Sequence, residues 1–216
     1  MKPRLLDLFS GAGGAARGYQ LAGFHVTGVD INPQPRYAGD EFHQADAMTF
    51  PLDGYDAIHA SPPCQAFTAY RRRPGVGENY PDLIAAIRAR FDNELDPEVP
   101  WVVENVAGSP VIPYVRLCGS SFGLDVRRHR VFESNVAMLS PPCDHGWQTP
   151  RFAQATNRSN RRSTVEVGVW RIPLEVQREA MGIDWMTLPE LTEAVPPAFT
   201  RHIGEQLLAA AERTTA

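Results

Sequence analysis

Lysine is nearly missing from this chain: Lys2 stands alone among 21 basic residues, and the rest are arginine. The basic chemistry therefore rests on planar guanidinium groups, which suit directional contacts to carboxylates, phosphates and base edges. Cysteine is scarce as well. Cys64, Cys118 and Cys143 are an odd and small set that builds no disulfide framework, and their spacing matches no zinc pattern, so free thiols are expected. No apolar run approaches the ~18 residues of a membrane helix. The N-terminal MKPRLLDLFSG breaks its short apolar burst at Asp7 and lacks the features of a signal peptide, so a cytoplasmic location is expected. Internal repeats and low-complexity tracts are absent too.

What is present describes a globular protein: 216 residues, 43% hydrophobic and 21% charged, enough chain for one domain with a real core. The net charge of −4 does not advertise a polyanionic partner, but its distribution does. Arg71, Arg72 and Arg73 stand together, and from Arg127 to Arg171 eight arginines face three acids, a local balance of +5. A solvated face would account for either cluster alone. Two clusters in an otherwise acidic chain favour an anionic partner docking on one side.

The order of elements predicts a doubly wound α/β fold. Arg4–Leu8 reads as a strand, the turn Ser10-Gly11-Ala12-Gly13-Gly14 follows, then a helix over Ala15–Ala22, a stop at Gly23, and a strand over His25–Val29 closing on Asp30. Further strands are expected at Tyr55–Ala60 and Trp101–Val103, the latter reaching Glu104 and Asn105. Helices are expected at 81–91, Glu175–Met181 and Ala198–Arg213. Leu139–Ser163, rich in Pro, Ser, Asn and Arg, reads as an irregular insertion.

Two places carry chemistry. At the first, glycines after a strand let backbone approach a ligand closely, and an acid ending the second strand can accept both ribose hydroxyls. The G-A-G-G spacing departs from the dinucleotide G-x-G-x-x-G, which disfavours a nicotinamide. Asp46, at the end of an expected third strand, is placed to bind an exocyclic amine. A tight turn without a ligand is the plainer alternative. At the second, Ser61-Pro62-Pro63-Cys64-Gln65 follows a strand end, where ligands of open α/β sheets sit. Two prolines stiffen the loop and aim the thiol. A lone cysteine is usually a small buried hydrophobe, and that reading holds for Cys118. Cys143-Asp144-His145 looks metal-like, but with no second pair it argues against zinc, and no metal is expected.

These residues resemble the DNA (cytosine-5)-methyltransferase family. Asp7-Leu8-Phe9-Ser10-Gly11-Ala12-Gly13-Gly14 is similar to its first motif, Pro62-Pro63-Cys64-Gln65 to its nucleophile motif, Glu104-Asn105-Val106 to its acid motif, and Arg128-His129-Arg130 to its R-x-R motif, in the family's order. Arg178-Glu179, Gly182 and Val195-Pro196-Pro197 resemble later segments more loosely. Val126 stands where a Gln usually leads R-x-R, and Thr192-Glu193 where the last motif usually opens with Gly-Asn. The resemblance implies a Rossmann-like S-adenosylmethionine-dependent methyltransferase with a mostly parallel sheet and helices on both faces. It implies a cofactor site at Phe9, Ser10, Gly11, Gly13, Gly14, Asp30, Ile31, Asp46, Ala47 and Pro62. Cys64 becomes the nucleophile that attacks carbon 6 of a flipped cytosine, Glu104 the acid near N3, Arg130 the holder of the base carbonyl, and Arg128 a support for its loop. DNA contacts are expected from Gln65, Arg71, Arg72, Arg73, Arg158, Arg161 and Arg162.

Only about 45 residues separate Arg130 from Arg178, where the family places target recognition, so this chain resembles a short member of phage or bacterial type. The expected organisation is a catalytic and cofactor-binding core over 1–132, a recognition insertion over 133–172, and a segment over 173–216 that returns to the core. A monomer is expected, with specificity short, degenerate or supplied by a protein partner. RNA cytosine or a free cytidine nucleotide as substrate, and a non-catalytic DNA-binding subunit, are the alternative readings. The last would be expected to have lost Cys64 or Glu104.

Overall fold

The computed structural model describes residues 1–63, 83–112, 115–149 and 162–214. Seven strands form one sheet: β1 (Arg4–Leu8), β2 (His25–Asp30), β3 (Glu41–Gln44), β4 (Ala57–Ala60), β5 (Trp101–Val106), β6 (Val115–Leu117) and β7 (Arg130–Ser134). Their spatial order is β3-β2-β1-β4-β5-β7-β6, and every pairing is parallel except those that β7 makes with β5 and β6. The order reverses beside β1, so a crevice opens between β1 and β4 at their carboxyl ends, where open α/β sheets place ligands.

Both faces of the sheet are covered, and the strand sequences show why. Successive side chains point to opposite faces. Leu5, Val26, Ala57, Val102 and Phe132 join one core cluster with Tyr19, Phe199 and Ile203, whereas Leu6, Leu8, Val29, Ile58 and Val103 join another with Ile84, Ile87 and Phe91. The helices α1 (Gly14–Ala22) and α5 (Pro197–Thr214) cover the first face, and α2 (Leu83–Glu94) covers the second. Gly18 is the close-approach point of α1 and α5: a Cβ there would collide with Thr200 Oγ1 and the Pro197 carbonyl. Thr200 Oγ1 donates instead to Ala15 O at 2.9 Å, joining the helices through a buried bond.

The remaining elements are α3 (Leu174–Met181), α4 (Leu188–Glu193) and a small separate ribbon in which β8 (Gln148–Thr149) pairs in parallel with β9 (Arg162–Ser163). Thr187 and Glu190 cap α4 reciprocally, each side chain serving the other's backbone N–H. Gln177, wholly buried on α3, accepts from Gly168 N and donates to Val169 O and Ile172 O, which fastens the preceding loop to the helix. From Leu139 to Gly146 no residue belongs to a helix or strand, but β8 and β9 lie within the 139–163 stretch that the sequence reads as irregular. No described helix is long and apolar enough to cross a membrane.

The structure adds β6, β7, β8 and β9 to the strands expected, and the expected ones differ at their ends. β4 begins at Ala57, not Tyr55, and β5 runs on through Val106, so Glu104 and Asn105 lie inside a strand and not beyond it. Pairing with β7 explains the longer β5, because Glu104 faces Phe132 and Asn105 faces Val131 across the ladder. β3 ends two residues before Asp46, which instead opens a turn by accepting Met48 N at 2.8 Å.

Candidate active site

A cavity of about 400 Å³ lies at the carboxyl ends of the central strands. One half is built by the turns after β1, β2 and β3. Phe9 takes a left-handed backbone, φ 59°, as the chain leaves β1, a conformation costing about 1–3 kcal/mol for a non-glycine residue. Two bonds hold the turn: Ser10 N donates to Val29 O at 3.0 Å, and Ser61 Oγ donates to Phe9 O at 3.2 Å. Asp30, closing β2, accepts from Gly11 N at 3.0 Å on one oxygen and from Asn32 N at 2.9 Å on the other. Each oxygen retains a lone pair for a ligand hydroxyl. Ser10 Oγ is buried with no hydrogen-bond partner among the described residues, an acceptor and donor that a polar ligand would satisfy. Those features fit a nucleoside with a ribose and a polar tail.

Of the expected cofactor residues, Phe9, Ser10, Gly11, Gly14, Asp30, Ile31, Asp46, Ala47 and Pro62 all line the cavity. Gly13 does not. It caps α1 with φ 81° and turns its Cα toward β2's following loop, where a Cβ would sit 2.7 Å from Ala38 N. Here the glycine serves the turn and the close packing of Tyr37.

The other half of the cavity is acidic and cationic at once. Glu104, 5% exposed, projects from β5, and Arg130 Nε at the start of β7 lies 3.0 Å from its Oε1. Burial pushes the Glu104 carboxyl above its usual pKa, against the lowering influence of Arg130 and Arg128. The group is thus biased toward holding a proton while facing a cation. Asn105, next along the strand, donates from Nδ2 to Pro62 O at 2.8 Å and so anchors the Pro-Pro loop to β5. Pro62, Pro63, Glu104 and Arg130 share the cavity with Asp30 and Gly11. Cys64, Gln65, Arg71, Arg72, Arg73, Arg158 and Arg161 lie outside the described residues, as does the side chain of Arg162, whose backbone pairs in β9.

Arg128 is a positioning residue and does not line the cavity. Its backbone is left-handed, φ 36°, and its guanidinium donates to Ala194 O at 2.9 Å, Thr192 O at 2.6 Å and Leu191 O at 3.4 Å. It thereby fixes the end of α4 beside the cavity, where Glu190, Glu193, Ala194 and Val195 form the wall. The segment that departs from the usual Gly-Asn is therefore still part of the site. Glu190 pairs with Arg36, NH2 to Oε1 at 2.7 Å, and the Arg36 hydrogen bonds are the main reason its carboxyl falls to about 2.

The sequence reading missed Asn105 as an anchor, and missed Asn32, Gln34, Met48, Met186, Glu190 and Glu193 on the wall. Val195-Pro196-Pro197 was the available pointer to the last of these. It also missed a cluster outside the cavity. Cys143 and His145 do have a second pair, because Cys118 and His129 bring their donor atoms to the same place, all four within 4.8 Å of one another.

The model of the C-5 cytosine-specific DNA methylase family matches residues 3–109. Among solved structures, the chain is similar to a protein described as a DNA modification methyltransferase encoded within a prophage (E. coli), at 14% identity and TM-score 0.65, covering 97% of this chain and 99% of that one. It is similar to the S. pombe Dnmt2 methyltransferase at 15% identity and TM-score 0.62, over 96% and 99%. A Spodoptera frugiperda DNMT2 mutant follows at 13% identity and TM-score 0.59, over 95% and 99%. At such identities the likeness establishes the fold, a Rossmann-like, mostly parallel α/β sheet. No curated protein matches the sequence.

Proposed function

From the premise that residues 3–109 belong to the C-5 cytosine-specific DNA methylase family, we propose that this chain methylates carbon 5 of cytosine in DNA, with Cys64 as nucleophile and S-adenosylmethionine as donor. The observation that carries the reading is one cavity holding both a nucleoside-type cradle and a buried carboxyl paired with a guanidinium.

Asp30 would take the ribose hydroxyls, Asp46 the exocyclic amine, and Ser10 and Gly11 the polar tail. S-adenosylmethionine supplies an electrophilic methyl group when bound. Carbon 5 of cytosine is too weak a nucleophile to accept it unaided. The Cys64 thiolate forms a bond to carbon 6, and the ring electrons move toward carbon 5 and N3. Glu104, held above its ordinary pKa by burial, gives or shares its proton at N3. Arg130 neutralises the carboxylate left behind and can reach the base carbonyl. Once carbon 5 carries the methyl group, with the donor left as a neutral thioether, the carbon 5 proton leaves to a base. The Cys64 sulfur departs from carbon 6 with its electron pair and the N3 proton returns to Glu104, restoring the aromatic ring. A cytosine stacked in duplex cannot reach Glu104 inside the cavity, so the base is extruded, at a cost of a few kcal/mol. Phosphate contacts from Arg71–Arg73, Arg158, Arg161 and Arg162 offset that cost without reading sequence.

The test is transfer of labelled methyl groups to DNA, RNA and dCMP by wild type and Cys64→Ser, with a 5-fluorocytosine oligonucleotide as a covalent trap. Label in DNA and a trapped adduct with wild type, both lost in Cys64→Ser, are expected. Transfer to RNA or dCMP alone would replace the substrate, and DNA methylation surviving in Cys64→Ser would overturn the mechanism.

A further inference from the structure

We propose that Cys118, His129, Cys143 and His145 form a structural zinc site that fastens the base of the 139–149 segment to the sheet edge. The four come from separate places in the chain. Cys118 follows β6, His129 precedes β7, and Cys143 and His145 lie in the stretch without helix or strand. Their donor atoms nevertheless converge within 4.8 Å of one another. Cys118 Sγ lies 3.2 Å from His145 Nε2, and His129 Nε2 lies 3.4 Å from Cys143 Sγ. Zinc bonds of ~2.0–2.3 Å in a tetrahedron put ligand atoms roughly 3.3–3.8 Å apart, so the two closest pairs already have nearly the spacing of tetrahedral edges. The rings of His129 and His145 are tilted by 58° with centroids 5.4 Å apart.

The donor set selects the metal. Two thiols and two imidazoles make a closed Cys2His2 site with no open position, which suits zinc and suits a structural role. Outer contacts are present as well. Ser120 Oγ donates to Cys118 Sγ at 3.1 Å and accepts from Asp144 N at 3.2 Å, linking one ligand to the backbone between two others. Ser121 Oγ donates to Pro142 O at 2.8 Å.

A need for the cross-link is visible in the same segment. Leu139 is 80% exposed, and no residue between it and Cys143 is buried, so little apolar burial holds these residues in place. A metal supplies that missing stabilisation where a small core cannot. It also pins His129 between Arg128, which holds the end of α4, and Arg130, which holds Glu104. The site is independent of the methyl-transfer reading, and none of its ligands lines the cavity.

Tag-free protein purified in reducing, chelator-free buffer should carry about one zinc per chain by mass spectrometric metal analysis. Cobalt(II) exchanged into it should show tetrahedral ligand-field bands and a thiolate-to-cobalt charge-transfer band. Cys143→Ser and His145→Ala, both on the more open side of the cluster, should lose stoichiometric zinc and the charge-transfer intensity, while Cys64→Ser keeps both. Wild-type protein that stays metal-free after zinc is supplied would overturn the proposal. So would zinc retained undiminished in both variants, or a Cys118–Cys143 disulfide found in the reduced preparation.

Discussion

The two halves of the cavity are built by opposite means. The glycine-lined half comes from turns that follow one another along the first 48 residues, each at the end of a neighbouring parallel strand. The Glu104–Arg130 half is assembled across the sheet from β5, the antiparallel β7, and the end of α4, with Arg128 tying the last to the rest. The first half is read from consecutive stretches of chain, although Ser61 Oγ to Phe9 O and Trp185 Nε1 to Ala12 O tie its first turn to distant segments. The second depends on contacts spanning more than 60 residues, such as Arg128 to Ala194. Cofactor binding and acid chemistry should therefore separate when the two halves are perturbed.

The largest effect is expected from Glu104→Gln, which keeps the shape but removes the proposed proton donor. Loss of general acid assistance should lower kcat about 10²–10⁴-fold and leave the KM for S-adenosylmethionine nearly unchanged. The complementary variant is Asp30→Ala. It removes an acceptor from the cradle and should raise that KM about 10–100-fold, the worth of one or two hydrogen bonds to a charged group, with a much smaller change in kcat. Steady-state kinetics on both variants decide the matter. If the two move the same parameter, the division of the cavity fails.

Arg128→Ala should act through structure. Its guanidinium serves carbonyls that end α4, so its removal leaves acceptors without a charged donor and should destabilise the protein by about 1–3 kcal/mol, read from denaturant unfolding. Arg128→Lys should restore little of it, because a single ammonium cannot match the fork that reaches Ala194, Thr192 and Leu191 together. Full recovery with lysine would mean that charge alone, and not the branched geometry, holds the second half.

The same contrast explains what was legible in the sequence. Ser10-Gly11, Asp30 and Asp46 were readable because the strand, turn and acid that make the cradle are adjacent in the chain, and nine of ten expected cradle residues line the cavity. Gly13 shows where such reading stops, because a glycine required for a left-handed cap looks the same, in sequence, as one required for ligand approach. The strands β6 and β7 went unread: each is short, and β7 is made a strand by its partners β5 and β6 more than by its own pattern. The Cys118–His129–Cys143–His145 cluster was missed for the same reason. Cys143 and His145 form a recognisable close pair, but their partners lie on either side of a strand turn, and only the antiparallel return of β7 brings them together.

The smallest expected effect sits beneath both halves, in the wholly buried pair Asp7 and His59 on neighbouring strands. His59 Nδ1 bonds Tyr19 Oη at 2.9 Å, and its Nε2 lies 4.0 Å from Asp7 Oδ1. Burial lowers the His59 pKa to about 3 and, with the nearby Asp30 and Glu104 charges, raises that of Asp7 well above 3.8. Both shifts favour the neutral form in the folded protein. Unfolded, the histidine would take a proton below about 6.5 and the aspartate would lose one above about 3.8. The histidine alone makes stability fall as pH drops from 6.5 toward 3, since the unfolded chain binds the extra proton. The aspartate alone makes stability fall as pH rises from 3.8 toward its raised value, since the folded chain binds it. Their slopes oppose in the shared window, so this pair should add little pH dependence to wild-type stability there. Asp7→Asn should unmask the histidine slope, with stability decreasing toward acid, and His59→Gln should unmask the aspartate slope, with stability decreasing toward neutrality. Urea unfolding of the three proteins from pH 4.5 to 6.5 reads both signs. Parallel curves for all three would mean that folding shifts neither pKa, and the opposed slopes would be absent.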